Sequence, residues 1–478
     1  MTPSTALAQR LLFVLFVFLG FLARAATTKS PLLDHHGWRQ ADTAAIARSF
    51  FREDFNIAHP QVDWRGSSPT GYVATGLELH AWLVAALAFL IGFRVSHGRL
   101  LSCVWFIASA TMLYRFLRDR YGGVTAVAGT GAYAFGFPLL VYMDRTFMNE
   151  PLLLMLTFLA YRAAQRHVAT GAWRSYGLLA IATTLLGLIK APYLMVWGGV
   201  LGLFVERHGA KTLRLWPLYA LAALNVLATM SWYSHAQALG EQTGLSFGLS
   251  DKLYDPGVVW SFHFWIVMVE RLGKDVFGPV GLAALVWGAV ECVRRRRWFE
   301  PAALGGGLVY LVLVAGGNLV HDYYQLALVP VGAVLVATGL RACAVRMGRG
   351  VADREAVVLT AAVLLMTAST FLRSYNSWYG YAWEKAHVCA EGARQTAPAD
   401  RLLVIGDGNP ELMFCLDRRG WITSQDSVTP ARLDELRASG ASVVLVSSKL
   451  RNPAVLEWLA TRTQPLVRNP RYTLLRIR

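Results

Sequence analysis

The segment Trp38-Arg39-Gln40-Ala41-Asp42 places a guanidinium group and a carboxylate three residues apart, and Arg48 follows on the same predicted helix. Arginine binds phosphate through paired N–H donors, and a carboxylate can accept a proton from a hydroxyl group. The alternative is a solvated loop with ordinary surface ion pairs. We predict a site for an anionic lipid head group here, with Arg65 and Glu78 of the same loop as further candidate binding residues.

Asp144 and Glu150 lie between two apolar runs, close to the predicted edge of a membrane. Acidic groups beside hydrocarbon are costly unless they are paired or hydrated, so such positions mark candidate sites. Asn149 and Glu150 before Pro151 also make a good helix start, which is the alternative interpretation of that pair. Asp144 has no capping role to explain it and is the stronger candidate.

Two further motifs begin or end apolar runs on the same predicted side. Lys190 could bind a phosphate or could simply extend its ammonium group to the interface. The segment His321–Gln325 contains five consecutive hydrogen-bonding side chains, although Tyr323 and Tyr324 alone would be typical of an aromatic belt.

Asp34, His35 and His36 could ligate a metal, but adjacent histidines seldom share one ion. We expect no required cofactor or metal, although a divalent ion could take part.

The composition places these motifs in a membrane protein. The chain has 478 residues, of which 55% are hydrophobic and 16% charged, with a mean hydropathy of +0.39. Soluble domains are about a quarter charged. The net charge of +16 comes from basic residues in short clusters between apolar runs. That pattern indicates membrane topology, and we predict no nucleic-acid partner.

Apolar runs of spanning or near-spanning length predict about eleven transmembrane helices. A cleaved signal peptide is the alternative for the first run. The run Leu79–Phe93 is short, and counting it as a span would place every later basic cluster outside, so we interpret it as a re-entrant or interfacial helix on the outer side. The runs lie at about 11–28, 97–114, 122–140, 151–165, 175–190, 192–206, 214–232, 277–293, 300–317, 324–341 and 356–372.

The predicted fold is an all-α polytopic membrane module over residues 1–375, with a first outer loop at 29–96 and a small outer α/β domain at 376–478. In the last segment, β-rich runs at 401–405 and 442–446 alternate with helical patterns at 430–438 and 454–462. Cys389 and Cys415 are the two cysteines of that outer segment, and we predict that they form a disulfide.

Together these motifs resemble the GT-C superfamily of membrane glycosyltransferases. The resemblance is to the dolichyl-phosphate-mannose-protein mannosyltransferase type (glycosyltransferase family 39 and its bacterial relatives), and it covers roughly residues 10–340. The stretch from Trp38 to Ala44 is its most specific part. The resemblance implies a general base at Asp42, an acceptor- or donor-placing role for Asp144, and donor-phosphate binding by Arg39, Lys190 and His321. It leaves open which aspartate is the base.

The implied function is transfer of a sugar, with inversion, from a polyprenyl-phosphate donor to a lipid, glycan or protein acceptor on the extracytoplasmic side. A multi-pass protein of the bacterial inner membrane is expected, in contact with membrane lipids. A polyprenyl-linked glycan polymerase or ligase is the second hypothesis, but such enzymes depend on a late Arg/His-rich loop. A transporter is the third, but transporters tend to show internal repeats and charges at mid-membrane.

The basic clusters predict the orientation of the chain, and reporter fusions test it. A reporter fused after Arg120 or Arg297 should report a cytoplasmic location, and one fused after Ser377 an external one, because loops rich in Lys and Arg stay inside. If the run Leu79–Phe93 crosses the membrane, reporters placed after it will be inverted.

Overall fold

The computed structural model describes residues 3–248, 252–406 and 408–478. The part of the chain that these ranges cover is 71% helical, with one small sheet near the C-terminus. It divides into two units: Met1–Thr28, Arg99–Ser234 and Gly248–Ser377 form unit 1, and Lys29–Gly98, His235–Phe247 and Trp378–Arg478 form unit 2. Each unit is therefore assembled from segments that are distant in the sequence.

The helices fall where the apolar runs predict them. In chain order they are α1 Pro3–Ala25, α2 Gly37–Arg52, α3 Leu79–Ile91, α4 Val95–Tyr121, α5 Gly123–Phe135, α6 Pro138–Met143, α7 Glu150–Thr170, α8 Trp173–Ile189, α9 Trp197–His208, α10 Trp216–Thr243, α11 Pro256–Val259, α12 Phe262–Arg271, α13 Gly278–Arg294, α14 Phe299–Leu313, α15 Ala315–Val320, α16 Val329–Gly348, α17 Ala352–Trp378, α18 Trp383–Gln395, α19 Glu411–Leu416, α20 Pro430–Ala438 and α21 Pro453–Arg462. The 3₁₀ segments Ala191–Val196 and Asp322–Leu328 precede α9 and α16.

Length and composition alone qualify four of the described helices as membrane spans, namely α1, α4, α17 and the segment Asp322–Gly348. Two further candidates are pairs bent by 91° before α10 and by 111° before α13. Other predicted spans are broken or short, such as α5 with α6 and α14 with α15. Among the described residues, four helices, or six spans if each bent pair counts as one, meet this test, which is fewer than the predicted number of about eleven.

Small residues let the helices of unit 1 pack closely. Gly339 on α16 lies against α13, and Gly288 on α13 lies against α16. A Cβ atom at Gly339 would overlap the Ala284 carbonyl oxygen, and one at Gly288 would overlap the Leu335 carbonyl oxygen. Helices in a bilayer gain little from hydrophobic burial, so close approach through glycine and alanine is a main source of their packing energy. This contact sets α13 beside α16 along much of their length.

Unit 2 has a five-stranded sheet with helices from both ends of the sequence. The strands are β1 Arg401–Gly406, β2 Arg419–Ser424, β3 Val443–Ser447, β4 Thr463–Arg468 and β5 Tyr472–Ile477, in the order β2-β1-β3-β5-β4. The first three are parallel, while β5 is antiparallel to both β3 and β4. The predicted α/β alternation is confirmed. The predicted disulfide between Cys389 and Cys415 is also present, with the Cα atoms 5.6 Å apart.

The first loop folds together with this C-terminal segment, which the sequence division into 1–375 and 376–478 did not anticipate. Two backbone hydrogen bonds join the segments: Gly66 N–H donates to the Gly420 carbonyl at 2.7 Å, and Gly420 N–H donates to the Asp63 carbonyl at 3.2 Å. Arg48 of α2 pairs with Asp63, lies 2.7 Å from a carboxylate oxygen of Asp417, and donates to the Phe414 carbonyl at 3.2 Å. The loop thus belongs to a folded body.

Arg48 should be essential to the stability of unit 2. Replacing it by Gln leaves Asp63 buried without its cation, a change that typically costs about 3–5 kcal/mol. Thermal unfolding of the full chain in detergent should show a clear drop in midpoint. Arg52→Gln is the matched control, since Arg52 pairs with the same Asp417 at an exposed site, where a pair contributes about 0–1 kcal/mol. Equal effects of the two substitutions would contradict this assignment.

Candidate functional site

Asp42 lies on α2 and is 4% exposed. Its Oδ1 accepts a hydrogen bond of 2.9 Å from the indole Nε1–H of Trp64. Within residues 3–248, 252–406 and 408–478, this is the one hydrogen bond to the carboxylate, so Oδ2 has no such partner. A neutral donor fixes the orientation of the carboxylate and leaves one oxygen able to accept a proton.

Burial raises the pKa of Asp42 to about 7. Desolvation is the largest cause, since it disfavours the charged form. The charge of Arg39 and the hydrogen bond from Trp64 lower the pKa, whereas the charges of Asp63 and Glu78 raise it. A carboxylate with a pKa near neutrality exchanges protons readily at physiological pH, which is what a general base requires.

Arg39 lies one helical turn before Asp42 and is oriented by Glu78. The guanidinium Nη2 donates to Glu78 Oε1 at 3.0 Å, and the Thr75 hydroxyl donates to the same oxygen at 3.1 Å. The guanidinium group also lies over the Phe247 ring, 4.3 Å from its centroid. Glu78 is 1% exposed, so it positions Arg39 and is itself withdrawn from solvent.

The structure does not bring Arg48 and Arg65 into an open binding site. Arg48 is occupied by Asp63, Asp417 and a backbone carbonyl. Arg65 makes a bidentate pair with Glu53 at 2.9 and 3.0 Å and further bonds to Gln61 and Pro69. Both side chains are buried, and their contacts connect segments within unit 2. We therefore leave them out of the proposed binding set.

In unit 1 the structure brings four of the predicted residues together. The Lys190 ammonium lies 3.3 Å from Glu150 Oε1 and 3.7 Å from the centroid of the Tyr324 ring. His321 stacks on Tyr324 with ring centroids 5.7 Å apart. Among the described residues the Lys190 ammonium donates a hydrogen bond to Glu150 alone, although an ammonium group has three donors. Lys190 is thus a cation whose donors are only partly used.

Two tyrosines that the sequence analysis did not select complete this cluster. The Tyr193 and Tyr310 hydroxyls are buried and have no hydrogen-bond partner within the described residues. Their rings meet edge to face at 5.9 Å, and Lys190 Nζ lies 5.9 Å from the Tyr193 centroid. Buried hydroxyls are nearly always satisfied, so two unpaired ones beside a cation suit a ligand with acceptor oxygens. Only the Tyr193 position, three residues after Lys190, offered a signal in the sequence.

Asp144 is held in a buried ion pair with Arg24 of α1. Arg24 donates to Asp144 Oδ2 through Nε at 3.2 Å and Nη2 at 3.0 Å, and through Nη1 to the carbonyls of Gly20 and Ala134. The guanidinium group also stacks on Phe106 at 3.8 Å. The pair joins α1 to the end of α6, which gives Asp144 a structural partner that the sequence did not reveal.

Comparisons with known proteins agree with this architecture. Residues 78–234 match the family model described as dolichyl-phosphate-mannose-protein mannosyltransferase. A search of curated protein sequences gave no match. Among solved structures, ArnT from Cupriavidus metallidurans bound to undecaprenyl phosphate aligns with a TM-score of 0.66 at 14% identity, covering 97% of both chains.

The apo structure of the same ArnT aligns over 99% of this chain and 98% of that one, with a TM-score of 0.60 and 13% identity. The archaeal oligosaccharyltransferase AglB from Archaeoglobus fulgidus, in complex with an inhibitory peptide and a dolichol-phosphate, aligns with a TM-score of 0.60 at 12% identity. That match covers 93% of this chain and 70% of AglB. The chain therefore shares its overall fold with ArnT and AglB, and the family-model match over residues 78–234 agrees with the predicted resemblance in that part of the chain.

The pKa of Asp42 predicts an unusual effect on stability. Its ordinary value is 3.8 and its folded value about 7, so the folded state binds the proton more tightly than the unfolded chain does. Ionised Asp42 therefore opposes folding, increasingly from about pH 4 and fully above about pH 7. We expect Asp42→Asn to be more stable than the parent protein at pH 8, with the difference vanishing near pH 4.

Thermal unfolding of the full chain in detergent across this pH range measures the effect. Asp54→Asn is the control, because Asp54 is a partly exposed carboxylate of the same loop that pairs with His59. A difference between Asp42→Asn and the parent that is constant with pH would show that the carboxylate does not titrate near neutrality.

Proposed function

We propose that this chain is a membrane glycosyltransferase that transfers a sugar from a polyprenyl-phosphate donor to an acceptor hydroxyl, with inversion at the anomeric carbon. The observation that carries the proposal is Asp42, a buried carboxylate with a pKa of about 7, oriented by Trp64 and one turn from Arg39. The GT-C fold supports it, since the relatives in that fold class are glycosyltransferases by name.

In the proposed reaction, Asp42 Oδ2 takes the proton of the acceptor hydroxyl as its oxygen attacks the anomeric carbon. The bond between that carbon and the phosphate oxygen breaks, and the polyprenyl phosphate leaves with the bonding electron pair. A phosphate leaving group needs little protonation, so one base and cationic stabilisation of the phosphate are enough. This chemistry requires no cofactor or metal, although a divalent ion could assist it.

The donor phosphate is assigned to the cluster around Lys190. A compact ammonium group with unused donors and two buried tyrosine hydroxyls can together bind phosphate oxygens. Phosphate binding would loosen the Lys190–Glu150 contact, since both anions compete for the same cation. The ArnT structure with undecaprenyl phosphate and the AglB structure with dolichol-phosphate support a lipid phosphate as ligand. Arg39 and His321 are further candidates for this role.

The second candidate is an oligosaccharide ligase, which the likeness to AglB favours. Mass spectrometry of surface lipids, glycans and proteins in a deletion strain separates the two. Loss of one sugar residue from a product would support the monosaccharide transferase, and loss of a whole glycan would support the ligase.

We place the protein in the bacterial inner membrane, with Asp42 on the outer side, where a lipid, glycan or protein supplies the hydroxyl.

Substitutions separate the base from the phosphate-binding residues. Asp42→Asn should lower product formation about 10²–10⁴-fold, because an amide cannot accept the proton. Its binding of undecaprenyl phosphate should survive, since loss of a negative charge does not weaken attraction for a phosphate. Lys190→Gln should weaken that binding about tenfold or more, as expected for loss of a charge-assisted hydrogen bond.

Product formation is measured by mass spectrometry after each variant is returned to the deletion strain, and lipid-phosphate binding with purified protein. Asp54→Asn is again the control and should behave as the parent. Asp144→Asn should have a milder effect on turnover than Asp42→Asn. If Asp42→Asn keeps near-normal turnover while Asp144→Asn loses it, the base is Asp144.

A further inference from the structure

Six arginines surround a cavity at the end of unit 1 away from Lys190. The cavity has a volume of about 540 Å³ and lies among the last turns of α13 and α16 and the turn between α4 and α5. Tyr324 precedes the first turn of α16, and this helix of 20 residues is about 30 Å long, so the cavity is far from the Lys190 cluster. The arginines are Arg120, Arg294, Arg295, Arg297, Arg341 and Arg346.

Three of these arginines are neutralised by carboxylates. Arg120 pairs with Glu206 and Glu300, Arg295 with Glu291, and Arg341 with Glu355.

The other three, Arg294, Arg297 and Arg346, form no ion pair in the part of the chain that the structure describes. Arg297 lies over the Tyr121 ring at 4.7 Å, and Arg346 lies 5.8 Å from the Trp287 centroid. Partial burial and the charge of Arg120 lower the pKa of Arg297, as expected where positive charge is in excess.

An apolar groove of about 690 Å³ continues from this cavity along α13. Its walls include Pro279, Leu282, Ala283, Val286 and Val290.

The groove and the cavity share three lining residues, Trp287, Glu291 and Arg294. Arginines at helix ends are expected from the orientation of the chain alone. Their convergence on a cavity that opens into an apolar groove is not explained by orientation.

We propose that the cavity and the groove together bind one anionic phospholipid of the membrane. The phosphate lies among Arg294, Arg297 and Arg346, and an acyl chain lies along α13 beside Val286 and Val290. Basic pockets between transmembrane helices on the cytoplasmic side are suited to such head groups, and the sequence predicts this face to be cytoplasmic. The site is separate from the proposed donor site, because the two lie at opposite ends of α16.

Native mass spectrometry of the full chain in detergent tests the proposal, with phosphatidylglycerol and phosphatidylcholine of the same acyl chains as probes. The parent protein should bind one phosphatidylglycerol at least about tenfold more tightly than phosphatidylcholine, and Arg294→Gln/Arg297→Gln should lose this preference. Arg166→Gln/Arg354→Gln is the matched control, since both arginines are exposed near helix ends and lie outside the cavity. Equal binding of the two lipids, or equal behaviour of the two double variants, overturns the proposal.

A second comparison distinguishes a lipid from a soluble phosphate. Glycerol 1-phosphate carries the head-group charge without an acyl chain and should displace phosphatidylglycerol only at much higher concentration. Displacement at equal concentration overturns the lipid assignment. Ala283→Trp fills the groove at an exposed position, so it is expected to fold, and it should weaken phosphatidylglycerol binding without changing that of glycerol 1-phosphate. Unchanged lipid binding by this variant would exclude the groove.

Discussion

Removing a charge from water costs several kcal/mol unless an opposite charge or hydrogen-bond donors replace the lost hydration. This cost governs the arrangement of the whole chain. Arg24 with Asp144 and Arg48 with Asp63 are buried pairs, and the buried Arg65 pairs with the more exposed Glu53. Each guanidinium group also donates to backbone or amide oxygens. These arginines connect α1 to α6 and the first loop to the C-terminal sheet. Most of their donor groups are paired within the fold, which indicates a structural role; among the described residues the exception is Arg65 Nε, which is buried without a partner.

Asp42 and Lys190 differ from these arginines, because few of their hydrogen-bonding groups are used within the fold. Asp42 has one neutral donor, and Lys190 has one carboxylate and an aromatic face. Each retains a capacity that the fold does not use: proton acceptance by Asp42 and hydrogen-bond donation by Lys190. The extent of pairing thus distinguishes Asp42 and Lys190, which are available for chemistry, from residues that hold the chain together, although all of them are charged.

The apolar runs predicted the helices well, because the cost of unpaired backbone in hydrocarbon leaves helices as the main solution for such segments. Alternating patterns and two cysteines likewise predicted the C-terminal domain and its disulfide. Sequence also selected Glu150, Lys190, His321 and Tyr324, which meet in unit 1. It could not show that Arg48 and Arg65 have a structural role within unit 2, because their partners Asp417 and Glu53 are brought to them only by tertiary folding.

The partner of Asp42 sets the chemistry of the site. An arginine bound directly to this carboxylate would favour its ionised form and lower its pKa, as a cation does for any adjacent acid. Here Arg39 acts on Asp42 through its charge while its guanidinium donates to Glu78, and the direct donor to Asp42 is the neutral indole of Trp64. Desolvation therefore prevails, and the pKa rises to about 7. A stronger base results, at the expense of stability at neutral pH. Glu78 therefore has two effects on the site. It orients Arg39, and its negative charge opposes the lowering of the Asp42 pKa by the positive charge of Arg39.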